Sequence, residues 1–296
     1  MVQDTSGAVR PRDMVMTELT ISLKTVTPLW TGGVDQTCDR LHEAGLIGSL
    51  RWWYEAFVRG LGASACDPTS SEQDRCPDKD GNRCVVCELF GCTGWSRKFR
   101  LRVTDSGGKL LNGPLNEDTD FDLHFVPLRR LRREEGWLFV KAVEIAAGYG
   151  SLGGRTTRKP QAKKGVGDDY GLLFLKSAPP IDCNWDKTKG YLSGFRSVKG
   201  ATGYPDLRCF FFVQGSFLWR EQMNALTKRE PFLRGDRGGG NKPAVSKKVF
   251  SFRTNSGRVW GYARDAKMRD DIIKHLRSEL GAKAKIKTGD EVLGGL

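Results

Sequence analysis

Four cysteines, Cys66, Cys76, Cys84 and Cys87, follow the spacing C-x9-C-x7-C-x2-C. The C-x2-C half is a tight knuckle in which two thiolates can grip one ion, and four thiolates make a closed tetrahedral zinc site. The surrounding stretch, residues 65–91, is polar and rich in turn residues such as Asp67-Pro68 and Asp80-Gly81-Asn82. It has no core of its own, so bound metal would supply its folding energy. Two disulfides, or four ordinary thiols, are the other readings of the same spacing. Cys92, in Phe90-Gly91-Cys92-Thr93-Gly94, is a rival fourth ligand and ranks below Cys66. No open coordination position or neighbouring base is evident, so the expected Zn2+ is structural.

A second group of residues suits anions. Gly148-Tyr149-Gly150-Ser151-Leu152-Gly153-Gly154-Arg155-Thr156-Thr157-Arg158-Lys159 follows a helical pattern rather than a strand, which excludes a Walker phosphate loop. Its glycines permit close approach of a backbone, and Arg155, Arg158 and Lys159, followed by Lys163 and Lys164, supply cations. A helix C-terminus repels phosphate, so these side chains must dominate any binding.

The chain's charge points the same way. In 296 residues, 48 Lys and Arg face 35 Asp and Glu, for a net charge of +13. Residues 126–165 hold ten bases and three acids, and residues 228–258 hold nine bases and two acids. These two blocks carry the whole excess, whereas the cysteine stretch has three bases and six acids. Such an imbalance fits a polyanionic partner. Neither block lies on an amphipathic helix, which disfavours a membrane surface, and no segment is long and apolar enough to span a bilayer. Residues 1–16 are polar and do not form a signal peptide, so a cytoplasmic location is expected. Only three histidines, His42, His124 and His275, are present, which rules out paired-histidine metal motifs.

The elements that must position these groups repeat. Residues 18–24 alternate as a half-buried strand, and Ser49 starts a helix reaching about Arg59. Strands follow at residues 99–103 and 121–125, then a helix at 134–147 ending at Gly148, and a short strand at 172–175. After Pro179-Pro180 and the glycine-rich stretch 190–203, the order recurs. A strand spans 207–213, a helix 218–229, a hairpin 247–253 and 258–262, a helix closes at Gly281, and a last strand lies near 283–287. The expected fold is therefore α+β, two ferredoxin-like (RRM-like, β-α-β-β-α-β) domains in tandem with a zinc-binding insert. The expected bounds are a flexible tail at 1–16, a first domain at 17–180 with the insert at 65–91, and a second domain at 181–296.

Four motifs together carry a resemblance: Thr27-Pro28-Leu29-Trp30-Thr31-Gly32-Gly33, Gly48-Ser49-Leu50-Arg51-Trp52-Trp53-Tyr54-Glu55-Ala56, Glu88-Leu89-Phe90-Gly91-Cys92-Thr93-Gly94 and Gly150-Ser151-Leu152-Gly153-Gly154-Arg155. The chain resembles the RAMP superfamily of CRISPR proteins, and within it the first subunit of the Cmr module of type III-B effector complexes. The similarity covers about residues 17–175; the second half matches by element order. It implies a non-catalytic subunit of a ribonucleoprotein that positions guide RNA and complementary target RNA near the guide 3′ end, beside other RAMP subunits, in antiviral defence. Gly32, Gly33, Ser49, Arg51, Trp52, Gly153, Gly154 and Arg155 take the RNA-facing positions, with Arg158, Lys159, Lys163 and Lys164 beside them. One departure is the insertion of residues 160–164 before Gly165-Val166-Gly167. In backbone RAMP subunits an acidic residue in the loop corresponding to Asp35 performs metal-dependent RNA cleavage, so an endoribonuclease using Asp35 is the alternative. Asp39, and His42 as a general base, are weaker forms of it.

Overall fold

The computed structural model describes residues 16–32, 37–67, 75–153, 169–198, 205–236, 238–240, 243–281 and 284–296. Its architecture is mixed α/β with two four-stranded antiparallel sheets. The first contains β1 (Leu19–Thr25), β2 (Phe99–Thr104), β3 (Asp120–Pro127) and β4 (Leu173–Ser177), in the order β2-β3-β1-β4. The second contains β5 (Phe210–Gln214), β6 (Val249–Phe252), β7 (Arg258–Tyr262) and β8 (Lys285–Thr288), in the matching order β6-β7-β5-β8. Each follows from period-two patterning: Leu19, Ile21 and Leu23 of β1 are buried while the residues between them face outward.

The helices are α1 (Glu43–Gly60), α2 (Val85–Phe90), α3 (Arg133–Gly148), α4 (Trp185–Leu192), α5 (Arg220–Arg229), α6 (Ala266–Leu280) and α7 (Gly289–Gly294). Helices α1 and α3 cover one face of the first sheet. Phe99 and Phe125 stack there with centroids 4.1 Å apart, and Phe139 of α3 lies 4.2 Å from Phe125. The second sheet is buried on both faces. Phe211, Val213 and Val259 point toward Met223 and Leu226 of α5 and Ile272, Ile273 and Leu276 of α6. Phe210, Phe212, Trp260 and Tyr262 point the other way and join the core of the first half. The layers therefore run sheet, helix pair, sheet, helix pair.

Three features depart from the sequence expectation. Ser49 does not start α1: the helix begins six residues earlier, with His42 at its N-cap and Glu43 in its first turn. Gly48, read as loop, is helical, because α1 is held against the preceding loop by Thr31 Oγ1, which accepts from His42 N at 2.9 Å. Residues 207–209 form a 3-10 turn that precedes β5 rather than its first residues. Short helices α2, α4 and α7 were not foreseen; each is six to eight residues, too short for a periodic signal. Met16, assigned to the tail, donates its N–H to Leu131 O.

Candidate nucleic-acid interface and metal centre

The cysteine spacing closes in space. Cys66, Cys76, Cys84 and Cys87 are all buried, and their Sγ atoms lie within 4.8 Å of one another. The knuckle forms because Cys84 is the N-cap of α2 and Cys87 sits one turn on, which puts both thiols on one side of the helix. No disulfide joins them, and Cys66 Sγ stands 3.3 Å from Cys87 Sγ. Zn–S bonds of about 2.3 Å in a tetrahedron place sulfurs about 3.8 Å apart, so the four thiols fit a metal ion as they stand. Cys92 is half-buried and outside this set. Crowding splits the four thiols: hydrogen bonds from Cys66 hold Cys76 down and pull Cys84 to about 6, while Cys87 is pushed up.

Arg51 belongs to this centre. It lies in the third helical turn of α1, not beside an exposed loop. Its Nε donates to Glu55 at 2.8 Å, Nη1 to Gly91 O at 3.0 Å and Nη2 to Cys87 Sγ at 3.4 Å. Burial alone would lower the guanidinium, but Glu55 and the Cys87 sulfur outweigh it and hold Arg51 above its ordinary value. Arg59 is likewise turned inward, donating to Ala65 O and Pro205 O at 3.1 Å each.

The glycine motifs converge. Gly153 N donates to Ser49 Oγ at 3.1 Å, which joins the glycine-rich segment to the face of α1. Gly153 has φ +105°, and a Cβ there would stand 2.5 Å from Trp30 O. A Cβ on Gly32 would stand 2.5 Å from Trp30 Nε1, so both glycines are required by the approach of the same tryptophan. Trp53, on the buried stripe of α1, donates Nε1 to Ser151 O at 2.8 Å. Thus Gly32, Ser49 and Gly153 are brought together. Gly33, Asp35, Gly154, Arg155, Arg158, Lys159, Lys163 and Lys164 lie outside the described residues.

The roots of the segment that carries those bases are held by the second sheet, a role the sequence reading missed. Arg258 Nη1 donates to Ala147 O at 2.9 Å and Gly150 O at 2.8 Å, and Gln214 Nε2 donates to Gly148 O at 2.9 Å. Burial lowers Arg258 to about 10. At the other root, buried Asp169 Oδ2 accepts from Arg253 N at 2.8 Å, Thr254 N at 3.0 Å and Thr254 Oγ1 at 2.9 Å. Leu152 N donates to Gly171 O at 2.8 Å across the base. A buried Asp next to a glycine-rich run was the available signal.

Trp52 does not offer a free ring. It packs edge-on to Trp53 at 5.1 Å and lies 5.9 Å from each of Phe210, Trp260 and Tyr262. Those rings occupy the sheet face on which RRM-like modules stack bases, so that platform is closed in the second unit. The outer face of the first sheet is ion-paired, with Lys24 to Asp118 at 2.6 Å and Lys176 to Asp120 at 3.1 Å, and His124 Nδ1 stands 2.7 Å from a Glu18 carboxylate oxygen. Described bases of the first block also have internal partners: Arg133 meets Asp182, Lys141 meets Glu144, and Arg129 donates to Ser96 O at 2.8 Å. In the second block, Lys247, Lys248 and Arg253 lie over Phe250, Phe232 and Trp219. Asp39 accepts from His42 Nε2 at 3.3 Å.

No helix among the described residues is long and apolar enough to cross a membrane. Comparison with known proteins gives two kinds of likeness, and no curated protein matches the chain. Solved structures similar to it include Cmr1 from Pyrococcus furiosus in its apo form, at 12% identity and TM-score 0.49, covering 93% of this chain and 99% of that one. Another is a chain in the type III-B Cmr-beta complex bound to cognate target RNA, at 12% identity and TM-score 0.37, covering 81% of this chain and 69% of that one. The RAMP superfamily model matches residues 22–158, the stretch that holds Gly32, Ser49, the cysteine cluster and Gly153. Over that segment this chain is similar to the RAMP superfamily.

Proposed function

We propose that this protein is a non-catalytic RNA-binding subunit of a type III-B CRISPR ribonucleoprotein, similar in kind to the first subunit of the Cmr module. It positions guide RNA and complementary target RNA near the guide 3′ end, beside other RAMP subunits, in antiviral defence in the cytoplasm. The observation that carries this reading is the Ser49–Gly153 contact at 3.1 Å. It joins two of the motifs that carry the resemblance, and the close approach of Gly153 to Trp30 O adds the third. RNA contact is assigned to Gly154, Arg155, Arg158, Lys159, Lys163 and Lys164 and to Gly32 and Gly33. Arg51 and Trp52 support it from inside the fold rather than touching RNA.

Each half, 17–180 and 181–296, is read as a ferredoxin-like domain, supported by the shared strand order and antiparallel pairing. The four cysteines hold one structural Zn2+, which would fix the insert and add no reactive position. Arg155, Arg158, Lys159, Lys163 and Lys164 would neutralise phosphates, so affinity would come from backbone charge with little base preference.

The test is to isolate the native complex through a tag on this chain, cross-link it with ultraviolet light and sequence the RNA attached to it. A guide RNA joined within residues 150–171 is expected, and the purified complex stripped of its nuclease subunits should leave target RNA intact with Mg2+. A complex that holds no RNA, or RNA cleavage lost on Asp35→Ala, would overturn the reading.

A further inference from the structure

Two arginines from distant parts of the chain reach the cysteine cluster. Arg51 of α1 donates Nη2 to Cys87 Sγ at 3.4 Å, and Arg196, between α4 and the second sheet, donates Nη1 to Cys76 Sγ at 3.7 Å. Cys76 Sγ also accepts from Cys84 N at 3.2 Å. A divalent ion with four thiolates carries two net negative charges, and the two guanidiniums cancel them. We infer that Arg51 and Arg196 are positioning residues of the metal centre, and that the loaded centre fastens the segment leading into the second sheet.

The remaining contacts of Arg196 show what is fastened. Its N–H donates to Arg83 O at 3.2 Å, Nη1 to Arg75 O at 2.5 Å, and Nε pairs with Asp78 at 3.4 Å. Its own carbonyl accepts from Ser64 Oγ at 3.3 Å, and Ser64 Oγ in turn accepts from Val198 N at 2.8 Å. Residues 196–198 therefore lie against Ser64 just before the insert and against Arg75, Asp78 and Arg83 within it. The groups that meet Arg196, the carbonyls of Arg75 and Arg83 and the side chains of Ser64 and Asp78, lie within two residues of Cys66, Cys76 and Cys84. If the thiolates lose their ion and turn outward, Arg196 loses its sulfur partner, and the insert backbone whose carbonyls orient it is no longer fixed. Arg51 couples the same event to α1, whose Ser49 stands two residues away and holds Gly153.

This inference rests on the zinc reading above, and the experiment separates the two. The full chain is purified with its metal, and Zn2+ is titrated away with a chromogenic chelator in wild type, Arg196→Gln and Arg51→Gln. Amide exchange of residues 193–198 is followed in parallel. Wild type should hold one Zn2+ per chain. Each glutamine variant should fold, bind one Zn2+ and release it about 10- to 100-fold more readily. Removing metal from wild type should raise exchange at 193–198 to the level of Arg196→Gln. Arg51→Lys, which keeps the charge, should recover part of the lost affinity. Equal zinc affinity in all variants, or protection at 193–198 that persists without metal, overturns the inference. A wild-type chain without metal, or one whose mass shows two disulfides, overturns the zinc reading itself. If a glutamine variant does not fold, the metal-removal exchange experiment on wild type decides alone.

Discussion

Gln214 and Arg258 face each other across β5 and β7, and both reach out of the second sheet to the end of α3. Helix ends leave carbonyls without intrahelical donors and carry partial negative charge, so a paired amide and guanidinium satisfy both needs. The carbonyls they cap, of Ala147, Gly148 and Gly150, begin the glycine-rich segment. One cross-strand pair in the second half thus holds the described start of the glycine-rich segment of the first.

Arg258→Leu should lower stability by about 2 kcal/mol, because charge-assisted bonds are lost and buried carbonyls are left without donors. A urea-unfolding midpoint equal to wild type would contradict the cap. RNA affinity should fall with it, since the segment's root is freed.

Ser49→Ala removes the acceptor of Gly153 N and should cost about 1 kcal/mol. Its specific sign is faster amide exchange at Gly153, measured by NMR. Gly153→Ala should cost more, about 2 kcal/mol, because φ +105° is unfavourable with a Cβ and Trp30 O blocks the space. Gly153→Ala with wild-type stability would refute the close approach.

Trp52→Ala should act through the fold. Its ring meets four aromatic neighbours, so truncation should lower stability by about 3 kcal/mol. Trp52→Phe should keep most RNA affinity. A loss of RNA binding in Trp52→Phe at unchanged melting temperature would instead mark the ring as a base-stacking surface.

Asp169→Asn keeps the size of the side chain but removes the charge that accepts three donors from Arg253 and Thr254. Stability should drop by about 1–2 kcal/mol, and protease cleavage between residues 154 and 168 should quicken. Unaltered cleavage would show that the β6–β7 turn does not secure this root.

Much of the fold is written in local patterns. Alternation in Leu19–Thr25 marks β1, and Asn255-Ser256-Gly257, all at positive φ, marks the hairpin between β6 and β7. The C-x2-C knuckle is also local, since one helical turn is enough to align Cys84 and Cys87. The start of α1 was not legible: Gly48 reads as a breaker, and only contact with the Thr31 loop shows why the helix runs through it. For the same reason Arg51 looks free in sequence. Its three acceptors come from α1, the loop after α2 and the cysteine cluster, up to 40 residues away.

By itself the sequence determined the strand and helix order, the two basic blocks, the four cysteines and the family motifs, because each depends on residues within a turn or two of one another. Tertiary structure alone decided which of these groups are spent inside the molecule. The aromatic rings of the second sheet face Trp52 and Trp53 rather than solvent, Arg51 faces sulfur, and Arg258 faces the end of α3. Those choices rest on burial and hydrogen bonding between segments distant in the chain, where an unpaired polar group or an exposed ring cluster costs more than any local preference returns.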